Sequence, residues 1–150
     1  LDAGLIDRLP AHFAVQSAAC APLAAVHEGR LDLDSLSELS ISTTVAEGIA
    51  IPAAPLIPHM LEGIRKSKGG VLTVEEEETI SALRTAVRRG LYIEPTAAAS
   101  LAGLRRYVDG RELGEIGGEK APEEELVVGV TSGHGLKAAA KTAELLERDK

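Results

Sequence analysis

The sequence of 150 residues predicts an α/β fold of three layers, a mostly parallel sheet with helices packed on both of its faces. Three observations carry this reading. Short apolar runs alternate with helical patterns about four times along the chain, the signature of strands joined by crossover helices. The run Leu126 to Val130 (LVVGV) is apolar without alternation, as a parallel strand buried on both sides requires. Aromatic residues make up only 2% of the chain against 45% apolar residues overall, so the core has to be built from Ala, Val, Leu and Ile, which suits closely packed layers of a single domain.

The elements follow in order. His12 to Gln16 is a strand after the break at Pro10, and Cys20 to His27 a helix ending at Gly29. Arg30 to Ser42 sustains neither period and Thr43 to Pro58 carries three prolines, so both are surface or cleft-lining loop. Met60 to Lys66 is helical, Gly69-Gly70 turns the chain, and Val71 to Val74 is a strand. Thr73 to Arg89 holds a helix whose acidic start (Glu75 to Glu78) and basic end (Arg84, Arg88, Arg89) complement its dipole. Ile80, Leu83 and Val87 share one face of it, and Gly90 stops it. Leu91 to Ile93 is the next strand, Thr96 to Val108 the next helix with Thr96 as its N-cap, and Asp109 to Glu125 a Gly-rich acidic hairpin or loop. Leu126 to Val130 is the last strand and Leu136 to Arg148 the closing helix.

A net charge of −7 disfavours nucleic acid and anionic membranes as partners, and three aromatic residues leave no base-stacking platform. The lone Cys20 cannot form an internal disulfide, and no paired Cys/His spacing suggests a zinc site. With no apolar run long enough to span a bilayer and no visible signal peptide, the expected location is the cytoplasm. Leu1 is not a start methionine, and the chain opens within sequence that already reads as structured, so further residues are expected upstream.

In open α/β sheets ligands bind beyond the carboxyl ends of the strands, which singles out Gln16 to Pro22, Glu94 to Ser100 and Thr131 to Lys137. The last, Thr131-Ser132-Gly133-His134-Gly135-Leu136-Lys137, places two hydroxyls and two glycines between a strand and a helix N-terminus, whose free N–H groups suit an anion or a heterocycle acceptor. The plainer reading is a turn in which Ser132 or Thr131 only caps the following helix. It is not a Walker A loop, since no Gly-Lys-Ser/Thr arrives on schedule.

A strand ending in Ser or Thr followed by Gly-His-Gly-Leu-Lys resembles the C-terminal motif of threonine synthases, within the fold-type-II pyridoxal-phosphate family. Three more segments share the resemblance in family order: Val15-Gln16 with Cys20-Ala21-Pro22-Leu23, Thr44 to Ile49 (TVAEGI), and Glu94 to Ala99 (EPTAAA). Together they span Leu5 to Lys137. The resemblance implies the C-terminal part of a tryptophan synthase β-subunit-like fold, with pyridoxal 5'-phosphate as cofactor and a small amino-acid substrate. It also implies that Ser132, with Thr131 as the neighbouring alternative, bonds the cofactor's ring nitrogen. A neutral hydroxyl there moderates the electron sink, as suits elimination and replacement at the β or γ carbon.

Glu94 is placed near the cofactor ring, though it also reads as an ordinary strand-end acid. Gly133 and His134 complete the set of cofactor-binding candidates, His134 being equally readable as structural. Gln16 and Glu47 shape the cleft wall, and Lys137 is structural in the family. The reaction implied is conversion of O-phosphohomoserine and water to threonine and phosphate, in an enzyme that is commonly a homodimer.

The resemblance also says what is missing. The family's cofactor lysine sits in a Ser-x-Lys motif with a glycine-rich phosphate loop. Neither occurs in this sequence: Ser67-Lys68 is adjacent rather than spaced, and Leu1 to Pro10 looks like the segment just after that loop. Both are expected in an N-terminal half upstream, so residues 1–150 read as a C-terminal domain fragment with no catalytic residue of its own. Other readings are a threonine or serine dehydratase or a sulfhydrylase, whose corresponding turn is more often Ser-Gly-Gly-Asn, or a non-catalytic anion-binding α/β domain. Alone, the 150 residues are expected to be inactive and to bind pyridoxal phosphate weakly or not at all. Titration with the cofactor should give no aldimine absorption band; a band that borohydride fixes to one lysine would overturn this.

Overall fold

The computed structural model describes residues 3–112, 116 and 125–147. The chain begins with strand β1 (Phe13–Ser17) and helix α1 (Pro22–His27), and passes through 3-10 turns at Leu33–Glu38 and Glu47–Ile49. Helix α2 (Ile57–Ser67), strand β2 (Gly70–Val74), α3 (Glu76–Arg88) and α4 (Pro95–Glu112) follow, and a 3-10 turn at Gly135–Ala138 leads into α5 (Ala139–Glu147).

β1 and β2 pair in parallel with Phe13 opposite Gly70 and Ser17 opposite Val74. Side chains on a strand alternate between faces, and the two faces of this pair meet different helices. Ala14 and Val71 pack with Leu23 of α1 and Ile57 and Ile64 of α2. Val15 and Val74 pack with Ala99 and Ala102 of α4. Helices therefore cover both sides of the sheet, as the sequence predicts, but among the described residues the sheet has two strands.

Two expected strands do not form. Leu91 to Ile93 contributes one isolated antiparallel bridge, Ile93 to His134. Leu126 to Val130 makes no ladder, and Leu126, Val128 and Val130 are 89%, 77% and 72% exposed rather than buried. A ladder needs a neighbour with free N–H and C=O groups at the right spacing, and no described strand lies beside this run. Its anchors are at one end: Tyr107 donates to Glu125 at 2.9 Å, and Arg111 lies 3.4 Å from the same carboxylate. Burial and that hydrogen bond both push the Tyr107 phenol up.

Several boundaries also shift. β2 keeps Thr73 and Val74, so α3 starts at Glu76, with the Glu78 carboxylate accepting from the Glu75 N–H at 2.7 Å. α2 starts at Ile57, and its Pro58 is accommodated in the first turn, where the missing N–H costs nothing. α4 continues to Glu112 and takes in the first residues of the expected acidic loop; most of the rest of that loop lies outside the described residues.

α4 is what ties the layers together. Ala97 and Ala98 join Leu83 and Ala86 of α3, Ile93 and Leu145 of α5 in one cluster. Gly103 lies so close to β1 that an added Cβ would sit 2.3 Å from a Val15 methyl. Arg84 of α3 donates twice to the Leu145 carbonyl, at 3.2 and 2.9 Å, and so satisfies an end of α5. Cys20 is 1% exposed, and burial pushes its thiol up, which makes it an inert core residue.

One polar atom in this core lacks a partner among the described residues: the Thr142 hydroxyl on α5, in a residue that is 0% exposed. A buried unsatisfied hydroxyl is destabilising, and valine has the same shape without it. Thr142→Val should raise the unfolding free energy by about 1 kcal/mol, read from urea denaturation at constant m-value.

Candidate functional site

The site is built on the start of α4. Pro95 opens the helix with a fixed φ and no N–H to satisfy, and Glu94 immediately before it makes two backbone hydrogen bonds: its N–H donates to the Gly133 carbonyl at 3.0 Å and its carbonyl accepts from the Ala98 N–H at 3.1 Å. The Gly135 N–H donates to the Tyr92 carbonyl at 2.9 Å. Residues 92–94 and 133–135 are thus held side by side.

The two segments are in close contact. A Cβ on Gly133 would lie 1.7 Å from Glu94 Oε1, and one on Gly135 would lie 2.9 Å from the Tyr92 ring. A side chain at Gly133 would require the Glu94 carboxylate to move aside, and one at Gly135 would press on the Tyr92 ring. The Glu94 side chain is 15% exposed, and Lys137 Nζ stands 3.6 Å from its Oε1.

Beside this contact lies a cavity of about 240 Å³, with Glu94, Thr96, Lys137, Glu47, Gly48 and Lys141 among its lining residues. Glu47 is ion-paired with Lys141 of α5 across its mouth, and the Gly48 N–H donates to Thr96 Oγ1 at 3.1 Å. A second cavity of about 230 Å³ on the other side of that pair reaches Thr44 and Glu76. There the Glu76 carboxylate accepts from Ser17 Oγ at 3.2 Å, from Thr44 Oγ1, and from the Val45 N–H at 2.7 Å. One carboxylate at the start of α3 thereby fixes both the end of β1 and the irregular chain that carries Glu47.

Set against the sequence reading, the candidates divide. Glu94 and Gly133 are in contact, and Thr131 and Ser132, both exposed, immediately precede Gly133. Neither hydroxyl caps the following helical turn. That role falls to His134, whose Nδ1 accepts from the Leu136 N–H at 3.2 Å while its ring stands edge-on to Tyr92 at 5.6 Å. Thr96 does not cap α4 either: the helix starts one residue earlier, and the Thr96 hydroxyl reaches across to Gly48. Glu47 lines the cavity as expected, but Gln16 does not. Its Oε1 accepts from the Ala24 N–H at 3.0 Å and so satisfies an amide in the first turn of α1. Glu76 and Lys141 were not legible as site residues. The spacing of Lys137 and Lys141, four apart, was the available signal for the second.

The geometry therefore defines a cleft at the start of α4 in an α/β layer structure, walled by the Glu94–Lys137 and Glu47–Lys141 pairs; Thr131, Ser132, Gly133 and His134 lie beside it and are not among its lining residues. A family profile described as pyridoxal-phosphate dependent enzyme matches residues 3–121, ending before the Thr131 to Lys137 turn. The chain belongs to this family. It is 36% identical over 109 residues to a threonine synthase of Mycobacterium leprae, an alignment covering 71% of the chain and 27% of that protein. It is 32% identical over 146 residues to a threonine synthase of Methanosarcina acetivorans, covering 96% and 33%. To threonine synthase 2, chloroplastic, of Arabidopsis thaliana it is 31% identical over 134 residues, covering 89% and 24%. The chain thus spans about a quarter to a third of the length of these relatives.

The residues present fit one edge of a pyridoxal group. The exposed Thr131 and Ser132 hydroxyls beside the Gly133-His134-Gly135 turn are donors of the kind a ring nitrogen accepts from. A phosphate needs converging amides, and the one adjacent glycine pair among the described residues does not supply them: the Gly69 and Gly70 N–H groups donate to the Ile64 and His12 carbonyls. No helix among the described residues is long and apolar enough to cross a membrane.

Because Glu76 gathers three donors, two of them on buried residues, its removal strands them. Glu76→Ala should cost about 2–4 kcal/mol in urea denaturation, and Glu76→Gln less, since the amide oxygen can still accept. Limited proteolysis should cut the Glu76→Ala protein first within residues 43–50.

Proposed function

We propose that this sequence is the C-terminal part of a pyridoxal-phosphate enzyme of the threonine synthase type, which releases phosphate from O-phosphohomoserine and adds water to give threonine. The observation that carries the reading is the convergence of motif segments. TVAEGI, EPTAAA and the Gly-His-Gly-Leu-Lys turn are separated by tens of residues, yet Glu47 and Gly48, Glu94 and Thr96, and Lys137 line one cavity.

In this reading Ser132 supplies the hydroxyl to the ring nitrogen, with Thr131 next to it as second choice. When bound, the pyridoxal group supplies the electron sink for chemistry at the amino-acid carbons. The chain's own contribution is to hold a neutral donor at that nitrogen, to keep the turn open with Gly133 and Gly135, and to wall the cleft with the Glu47–Lys141 pair. The cofactor lysine and the phosphate loop belong to a preceding half of the whole protein. The two-stranded sheet belongs to a larger tryptophan synthase β-subunit-like sheet in which Leu126 to Val130 finds its neighbours, and the whole enzyme is a homodimer.

The test is an assay of the full-length protein for phosphate release from O-phosphohomoserine, run beside oxoacid formation from threonine and serine. Phosphate and threonine in equal amounts are expected. Oxoacid formation alone would replace the reading with a dehydratase. Ser132→Ala in the active enzyme should lower kcat by about one to two orders of magnitude, the loss of one well-placed hydrogen bond to the reacting system. An equal loss in Thr131→Ala, with Ser132→Ala unaffected, would move the contact to Thr131.

A further inference from the structure

We propose that Glu94 and Lys137 form a positioning pair that holds the turn at Gly133, so that Glu94 acts on the cofactor through the backbone and not by touching its ring. The proposal rests on the reading of Ser132 given above and deepens it.

The carboxylate lies flat on the turn. A Cβ added to Gly133 would be 1.7 Å from Glu94 Oε1, 2.1 Å from Cδ and 2.5 Å from Cγ, so the whole outer half of the side chain covers that α-carbon. The backbone is locked on the same side by Glu94 N–H to the Gly133 carbonyl at 3.0 Å and Gly135 N–H to the Tyr92 carbonyl at 2.9 Å. Lys137, four residues beyond Gly133, returns its ammonium to within 3.6 Å of Oε1. Residues 133–137 therefore wrap the carboxylate from two sides. Ser132 is joined to Gly133 by a single peptide bond, so fixing Gly133 fixes where the Ser132 backbone leaves the turn, and the Ser132 rotamer then aims the hydroxyl from that point.

Charge matters here as well as shape. A carboxylate with 15% of its side chain exposed has lost much of its hydration, and such a group is retained where a partner compensates it. Lys137 is that partner. Its own side chain is 69% exposed, so the attraction is screened and the effect of breaking it is a few-fold. The other charges facing the cavity, Glu47 and Lys141, are already paired with each other and do not substitute.

The experiment uses the full-length protein and two readouts. Amide hydrogen exchange reports opening at the Glu94 and Gly135 N–H groups, and titration with 4'-deoxypyridoxine 5'-phosphate, which lacks the aldehyde, reports non-covalent binding. Glu94→Gln and Lys137→Met should each speed exchange at these amides by about three-fold and weaken analogue binding to a similar degree. The double variant should be no worse than either alone, and Lys137→Arg should restore both readouts. Unchanged exchange in Lys137→Met, or a loss that Lys137→Arg fails to restore, overturns the pair. Weaker analogue binding in Glu94→Gln with exchange unchanged overturns the positioning role in favour of direct ring contact. If the unmutated protein does not bind the analogue, the reading of Ser132 fails and the cofactor role with it, whereas the exchange data report separately whether the pair holds the turn.

Discussion

The small-residue face of α4 is the constraint on which the other contacts depend. Ala97, Ala98, Ala99, Ala102 and Gly103 let this helix approach β1, β2, α3 and α5 together, and the clearance at Gly103 is less than one methyl group. In an interior packed like a crystal, displacement of one such helix moves everything it touches. The first residues of α4 are the ones that meet the glycine turn and the Glu47–Gly48 segment. The position of the cleft is therefore set by packing some distance below it, in a core that contains almost no aromatic side chain.

Around that core, carboxylates do much of the fastening. Glu76 gathers two hydroxyls and an amide, Glu78 closes the start of α3, Glu94 covers Gly133, and Glu125 meets Tyr107 and Arg111. A net charge of −7 suggests acids carried as solvated surface. Here several accept hydrogen bonds from specific backbone or hydroxyl donors, interactions worth more than exposed ion pairs such as Lys66–Glu62. The irregular segment between α1 and α2 is held by Leu36, Val45, Ala46, Ile49 and Ala54, which pack on the core, and by donors aimed at Glu76 and the Glu47–Lys141 pair.

The run Leu126 to Val130 departs from what its sequence suggests. Leu126, Val128 and Val130 have the sequence of a buried strand and the exposure of a loop. An apolar run is a statement about the environment a segment prefers, and the described residues do not provide that environment.

How much of this could be read from the residues alone depended on range. Amphipathic spacing located α3, and Gly-Gly with β-branched residues located β2, because these signals are local. The strand-end rule pointed to Glu94 and to Thr131 to Lys137; Glu94 and Lys137 do line one cavity, although the strands assumed before them do not form. Other assignments failed where a hydrogen bond reached across the fold: Thr96 bonds Gly48, Gln16 bonds Ala24, and His134 takes the cap that Ser132 or Thr131 was expected to make. By itself the sequence determined the two strands β1 and β2, most of the helices and, through the resemblance of its motif segments, the family, since these are local signals of periodicity and residue type. Only the tertiary structure decided that Glu76 anchors the loop, that Glu94 lies on Gly133 under Lys137, and that the sheet here has two strands. Partners distant in sequence are chosen by packing, and a strand exists only where a neighbour completes its hydrogen bonds.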